Sequence, residues 1–269
     1  MKKPFYRLVV SLITLAVLAA ACYTVPETGR RGFSFFSPNQ EISLGASAFE
    51  DIKRNEKIST DAAHNRRVQE VGRRIALQAE DHMPGVPWEF VVFDGDDTIN
   101  AFALPGGKVG VYTGLLNLAE SDDELAAVIG HEIAHVTARH GTERMSRAMA
   151  MAAAGIGLGA AVSGRDEQTQ TAVLIAYGLG STIGVELPHS RRTESEADEI
   201  GILYAARAGY DPRGAVRFWE RMMEVSAGRA SPPEFLSTHP SDTTRINNLN
   251  RLMPQAMEEY EKATGRRLN

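Results

Sequence analysis

The chain has 269 residues, enough for one domain of catalytic size with a small appendage. Its 43% hydrophobic and 23% charged content is that of a globular body with a buried core. The net charge of −5 comes with no basic stripe, which speaks against nucleic acid as a partner.

Lys2, Lys3 and Arg7 precede an almost wholly apolar run from Leu8 to Ala21. The run is shorter than the ~20 residues of a membrane span and fits the apolar region of a secretory signal. It ends in Leu18-Ala19-Ala20-Ala21 before Cys22, the only cysteine. That ending resembles a bacterial lipobox, with Ala19 where Leu is common. The resemblance implies cleavage before Cys22 and lipidation of Cys22; the other reading is an ordinary signal cut near Ala21. Tyr23 in place of Asp after the cysteine implies sorting to the outer membrane, facing the periplasm. A lone cysteine leaves no disulfide. The expected division is a signal peptide over 1–21, a lipidated N-terminus and linker over 22–38, and one folded domain over 39–269. Pro26, Gly29, Gly32 and Pro38 mark the linker as a tether.

A helical pattern spans Asn39 to Ala79, with Ile42, Ala46, Phe49, Val68, Val71 and Ile75 as its apolar positions. Trp88 to Phe93 reads as a strand ended by Asp94-Gly95-Asp96-Asp97. Asn100 to Leu104 and Lys108 to Tyr112 are two further extended pieces around the turn Pro105-Gly106-Gly107. Together they predict a small antiparallel sheet. Ser121 and Glu124 form a capping box that opens a helix running to about Arg147. Residues 148–162 and 171–185 are rich in Ala, Gly, Met and other apolar residues, with Arg165-Asp166-Glu167 between them. Neither run has the uninterrupted length of a span, so they read as packed or partly exposed helices, mobile enough for a lid. A polar segment, Glu186 to Arg192, leads to a helix from Thr193 to about Ala208, stopped by Gly209. Further helices follow Asp211-Pro212 and Ser241. The fold class is α+β, a mainly helical domain with a small antiparallel β-sheet.

His131 and His135 lie four apart on the Ser121 helix. At 3.6 residues per turn both imidazoles leave one face and reach one ion. Glu132, one residue along, reaches a water on that ion without binding it. This is the residue set of metal-assisted peptide hydrolysis, with Glu132 as the general base. Ile133, Ala134 and Val136 bury the helix, and two unliganded histidines would be costly there. Catalytic zinc takes three protein ligands, so a third is required from Glu194, Glu196, Asp198, His189, His140 or His239. His140 is five from His135, off the shared face. Glu194 and Asp198 are four apart on one helix, suited to a ligand and its orienting partner.

His131-Glu132-Ile133-Ala134-His135 followed at a distance by Thr193-Glu194-Ser195-Glu196-Ala197-Asp198 resembles the gluzincin metallopeptidase family of the CAAX prenyl protease, HtpX, Oma-type and BepA/LoiP-type enzymes. The resemblance implies a zincin-type domain with one zinc ion per chain. It implies Glu194 as third ligand and Asp198 as the residue behind a ligand, with Glu196 solvated. Asn100-Ala101-Phe102 with Pro105-Gly106-Gly107, and Tyr112 to Leu116, resemble the family's stretch before the catalytic helix. There an edge strand receives substrate as an added strand. The likeness covers residues 40–250, and neither the membrane helices of the prenyl protease nor a tetratricopeptide tail is evident, so the small LoiP-type outer-membrane lipoproteins are the nearest kind. Thr238-His239-Pro240 and Arg245 also match. By resemblance His239 closes the fourth zinc position; a substrate or oxyanion contact and a structural loop histidine are the other readings. Arg245 pairs an acid near the site, steadies an oxyanion, or is a surface residue. His189 is read as a non-ligand, and His64 and His82 as surface histidines. The expected function is zinc-dependent cleavage of misfolded or stalled envelope proteins from a lipid anchor, with the envelope assembly machinery as a further partner. The alternative is a lipoprotein chaperone or adaptor with a latent, His-plugged site.

Overall fold

The computed structural model describes residues 21–228, 231–239 and 243–266. The expected signal segment, apart from Ala21, lies outside these residues, as does the expected helix start at Ser241.

Strands β1 (Cys22–Thr24) and β2 (Arg31–Phe33) form an antiparallel hairpin. This corrects the tether expected over 22–38. Val25 is buried, and the Tyr23 hydroxyl donates to the Ala138 carbonyl at 2.9 Å. Proline and glycine content suggests a linker, but Tyr23 and Arg30 have partners more than a hundred residues away. Only tertiary structure reveals such partners. Two helices follow, α1 (Pro38–Asn55) and α2 (Ala62–Ala76). Ser37 and Gln40 close a capping box on the first, and the Asp61 carboxylate accepts two backbone N–H groups at the start of the second.

Strands β3 (Glu89–Phe93), β4 (Ala101–Leu104) and β5 (Lys108–Tyr112) form one sheet in the order β3-β5-β4. β4 and β5 pair antiparallel around Pro105-Gly106-Gly107, where both glycines take positive φ. β3 instead pairs parallel with β5, so the sheet is mixed rather than antiparallel. Residue alternation marks strands, but it does not fix their direction. Val109 and Val111 are both fully buried, which puts β5 in the centre and leaves β4 as an edge.

After α3 (Thr113–Leu118) comes α4 (Asp122–Thr137), capped by the Ser121 side chain. The expected continuation to Arg147 is broken. Arg139 adopts the left-handed conformation, φ 58°, and α5 (His140–Val162) starts afresh on a new course. The turn is held by the Arg139 guanidinium, which donates to the buried Glu41 carboxylate and to the Phe36 carbonyl. Those contacts offset the ~1–2 kcal/mol cost of a left-handed non-glycine residue. α6 (Glu167–Ser181) runs through a five-residue π-helical stretch, Thr182–Glu186, into α7 (Leu187–Arg207). The polar segment expected before Thr193 is therefore helical. α5 beyond Met149 and all of α6 stand largely exposed, with Ile156, Ile175 and Leu179 in solvent. By length and composition α5 and the run Glu167–Arg207 are apolar enough to cross a membrane. The chain closes with α8 (Arg213–Ala227), α9 (Glu234–Thr238) and α10 (Thr243–Thr264).

The most extensive helix pairing joins α4 to α7. Gly130 meets Gly201 at their crossing. A Cβ on Gly130 would stand 2.7 Å from the Gly201 carbonyl oxygen, and one on Gly201 2.7 Å from the His131 nitrogen. Gly201→Ala and Gly130→Ala are each expected to lower stability by about 1–3 kcal/mol through overpacking. Gly178→Ala, on exposed α6 with nothing near the new methyl, should leave stability equal or slightly higher. Urea unfolding of the three variants checks this.

Candidate metal centre

The α4–α7 crossing brings two motifs face to face. His131 and His135 project from one side of α4, and their Nε2 atoms are 3.0 Å apart. Glu194 on α7 faces both, with Oε2 at 3.2 Å from His131 Nε2 and Oε1 at 3.4 Å from His135 Nε2. His239, just after α9, completes the group with Nδ1 at 3.1 Å from His131 Nε2 and 3.0 Å from Glu194 Oε2. The four donor atoms all lie within 4.8 Å of one another. Three imidazoles and one carboxylate around one point are a donor set that zinc favours.

The bare cluster behaves as a cation site should. Burial and the Arg245 guanidinium oppose charge on His131, yet hydrogen bonds to Asp198 and Glu194 outweigh them and push it up to about 9. His135 is driven well below its ordinary value by burial and by the neighbouring imidazoles of His131, His140 and His239, against the opposing pull of the Glu194 carboxylate. Burial works against ionisation of Glu194, but His135, His131 and His239 hold it far below the usual carboxylate range. Glu132 is 1% exposed. Burial raises its pKa, and its Oε1 has no hydrogen-bond partner, lying 3.4 Å from His239 Nε2. An unpartnered buried carboxylate oxygen beside the cluster is what a base awaiting water would look like.

Behind His131, Asp198 Oδ1 accepts from Nδ1–H at 3.0 Å and from the Arg245 guanidinium at 2.5 Å. This turns His131 Nε2 toward the cluster. Arg245 is buried and stacks on Trp219 at 3.6 Å from the ring centroid, so it is no surface residue. Its guanidinium also lies 3.0 Å from His131 Nδ1 and 3.5 Å from Glu194 Oε2, and it does not line the cleft beside β4. That cleft is bordered by Asn100, Ala101 and Phe102 with the rest of β4, and by Glu132, His135, Glu194 and His239. Cys22 is exposed at the start of β1.

Glu196 departs from expectation. It is buried, not solvated, and accepts from His140 Nε2 at 2.9 Å, from Thr28 and from Arg30. His140 Nδ1 in turn lies 2.9 Å from His135 Nδ1. Its expected spacing presumes a continuous helix, which the break at Arg139 ends, and His140 stands outside the four-residue group. His189 is no part of the cluster and bonds Glu143 at 3.1 Å. His82 is tied to the Tyr204 hydroxyl at 2.9 Å.

A mainly helical domain with a histidine–glutamate cluster on crossed helices, open to the edge of a small sheet, is the architecture of a metallopeptidase. Residues 62–253 match Peptidase family M48, and the chain belongs to that family. It is 30% identical to the mitochondrial metalloendopeptidase OMA1 of Saccharomyces cerevisiae, covering 93% of this chain and 76% of that protein. It is 33% identical to its Schizosaccharomyces pombe counterpart, over 88% and 68%. The Beta-barrel assembly-enhancing protease of Escherichia coli is 27% identical over 97% of this chain, which spans 55% of it. The protein is a metalloendopeptidase.

Metal binding must displace the proton that His131 holds. Its value of about 9 lies above the ordinary 6.5, so affinity for a divalent ion falls as pH drops below about 9, by up to tenfold per pH unit. Calorimetric titration of the metal-free protein in buffers of differing ionisation enthalpy should register release of about one proton at neutral pH.

Proposed function

We propose that the protein is a zinc-dependent endopeptidase of the bacterial envelope, anchored through lipidated Cys22 and facing the periplasm from the outer membrane. The convergence of His131, His135, Glu194 and His239 beside Glu132 carries this reading. Its ligands are His131, His135 and Glu194, with His239 in the fourth position at rest. A zinc ion held there supplies Lewis acidity to a peptide carbonyl and lowers the pKa of water. Glu132 takes a proton from the attacking water and delivers it to the leaving amide nitrogen. Asp198, steadied by Arg245, fixes the ring of His131 throughout.

Edge strand β4 runs along the cleft, so a substrate chain adds to it as a further strand. Such binding is held by backbone hydrogen bonds and favours extended, unfolded segments with little sequence preference. Misfolded or stalled envelope proteins fit that requirement, and the name of the Escherichia coli relative supports an envelope setting with assembly machinery nearby. The apolar ending before Cys22 supports the lipid anchor.

Glu132→Gln should keep its zinc and its fold while casein cleavage falls by roughly 10²–10⁴-fold. Undiminished cleavage would remove Glu132 from the chemistry. The contacts of His239 with Glu194 and His131 favour a resting state in which it closes the site. His239→Ala should therefore raise casein cleavage and self-cleavage, and an unchanged rate would leave His239 with no regulatory part. A Glu132→Gln variant that restores growth to a deletion strain would favour the adaptor reading instead.

A further inference from the structure

We propose that His140 and Glu196 act as a positioning relay for His135, fixing the tautomer and orientation in which its Nε2 faces the metal. The inference rests on the reading of His135 as a ligand. Its basis is a chain of short contacts outside the four-residue cluster. His135 Nδ1 is 2.9 Å from His140 Nδ1, and His140 Nε2 is 2.9 Å from Glu196 Oε2. His140 is 5% and Glu196 6% exposed, so little water reaches the bond between them.

The proton positions follow from donor and acceptor chemistry. An ionised carboxylate only accepts, so His140 carries its proton on Nε2 and donates it to Glu196. His140 Nδ1 is then a bare lone pair. His135 Nδ1, 2.9 Å away, supplies the hydrogen. With the proton on Nδ1, His135 keeps Nε2 free on the side of Glu194, 3.4 Å from its Oε1. The opposite tautomer would place a hydrogen where the metal stands. Asp198 does the same for His131 directly. His135 has an imidazole between itself and the carboxylate because it lies nearer the end of α4, and the left-handed turn at Arg139 folds His140 back against it.

Glu196 is itself fixed. The hairpin residues Thr28 and Arg30 donate to it, and Arg30 also binds Glu143 at 2.9 Å. His140 reaches the metal cluster through His135 Nδ1, and Glu196 reaches it through His140, so each is a positioning residue.

His140→Phe fills the same space without an acceptor. His140→Asn sets an amide oxygen near the place of Nδ1. Zinc affinity, measured against a chromophoric chelator, should fall about 10–100-fold in His140→Phe and recover most of that loss in His140→Asn. In the metal-free wild type, long-range nitrogen–proton NMR should find His135 protonated on Nδ1, and in His140→Phe the Nε2 tautomer should appear. If His140→Phe fails to fold, Glu196→Gln carries the same two measurements with a smaller expected loss. Wild-type affinity in His140→Phe, equal losses in Phe and Asn, or a proton on His135 Nε2 in the metal-free wild type would each overturn the relay. His135→Ala separates this from the underlying reading: zinc binding as tight as wild type would defeat the metal centre itself, whereas loss there with none in His140→Phe defeats the relay alone.

Discussion

The contact of Gly130 with Gly201 is the constraint on which the site depends. Two helix backbones approach until a single methyl group on either would collide with the other's main chain. His131 follows Gly130, and Asp198 and Glu194 lie about one and two turns before Gly201 on α7. Any wider spacing of the helices would move Glu194 away from the imidazoles and Asp198 away from His131 Nδ1. Packing of small residues therefore sets donor distances in the metal centre, although neither glycine bears a functional group.

The buried charge around the centre is organised as two separate supports. On one side Asp198 and Arg245, the latter stacked on Trp219, back His131. On the other Glu196, Glu143 and Arg30 lie behind His140. Burial works against ionisation of Glu143 and Glu196, and hydrogen bonds from an imidazole and the Arg30 guanidinium hold both below the usual carboxylate range. Tyr23 and Arg30 belong to the hairpin that follows Cys22, so the segment next to the proposed anchor is part of the second support. The N-terminal hairpin and the metal centre are one continuous network.

The sheet contributes through its incompleteness. β5 is covered on both sides by β3 and β4, while β4 keeps one edge free along the cleft. Phe102 packs over Gly110 and against Phe93 and Phe49, which holds the edge rigid for a substrate strand. His239 approaches the same cleft from the far wall, on a short helix whose Phe235 is buried against Trp219. One wall thus presents a backbone edge, and the other presents the His239 imidazole beside Glu132 and Glu194.

Much of this was legible in the chain itself. Helical periodicity put His131 and His135 on one face with Glu132 one residue along, and the Glu194–Asp198 spacing suited a ligand and its orienting partner, because both are local geometry within one helix. The turn at Pro105-Gly106-Gly107 and the cap at Ser121 are local in the same sense. What the sequence could not settle depends on partners distant along the chain. The parallel pairing of β3, the docking of the 22–33 hairpin and the burial of Glu196 and Arg245 all need contacts that no local pattern encodes. The break at Arg139 belongs with them, since a left-handed arginine is tolerable only with Glu41 in place to hold it. The sequence by itself determined the chemistry of this protein, because ligand identity and helical spacing are local. The tertiary structure alone decided what stands behind each ligand, because a buried charge takes its role from neighbours that folding brings to it.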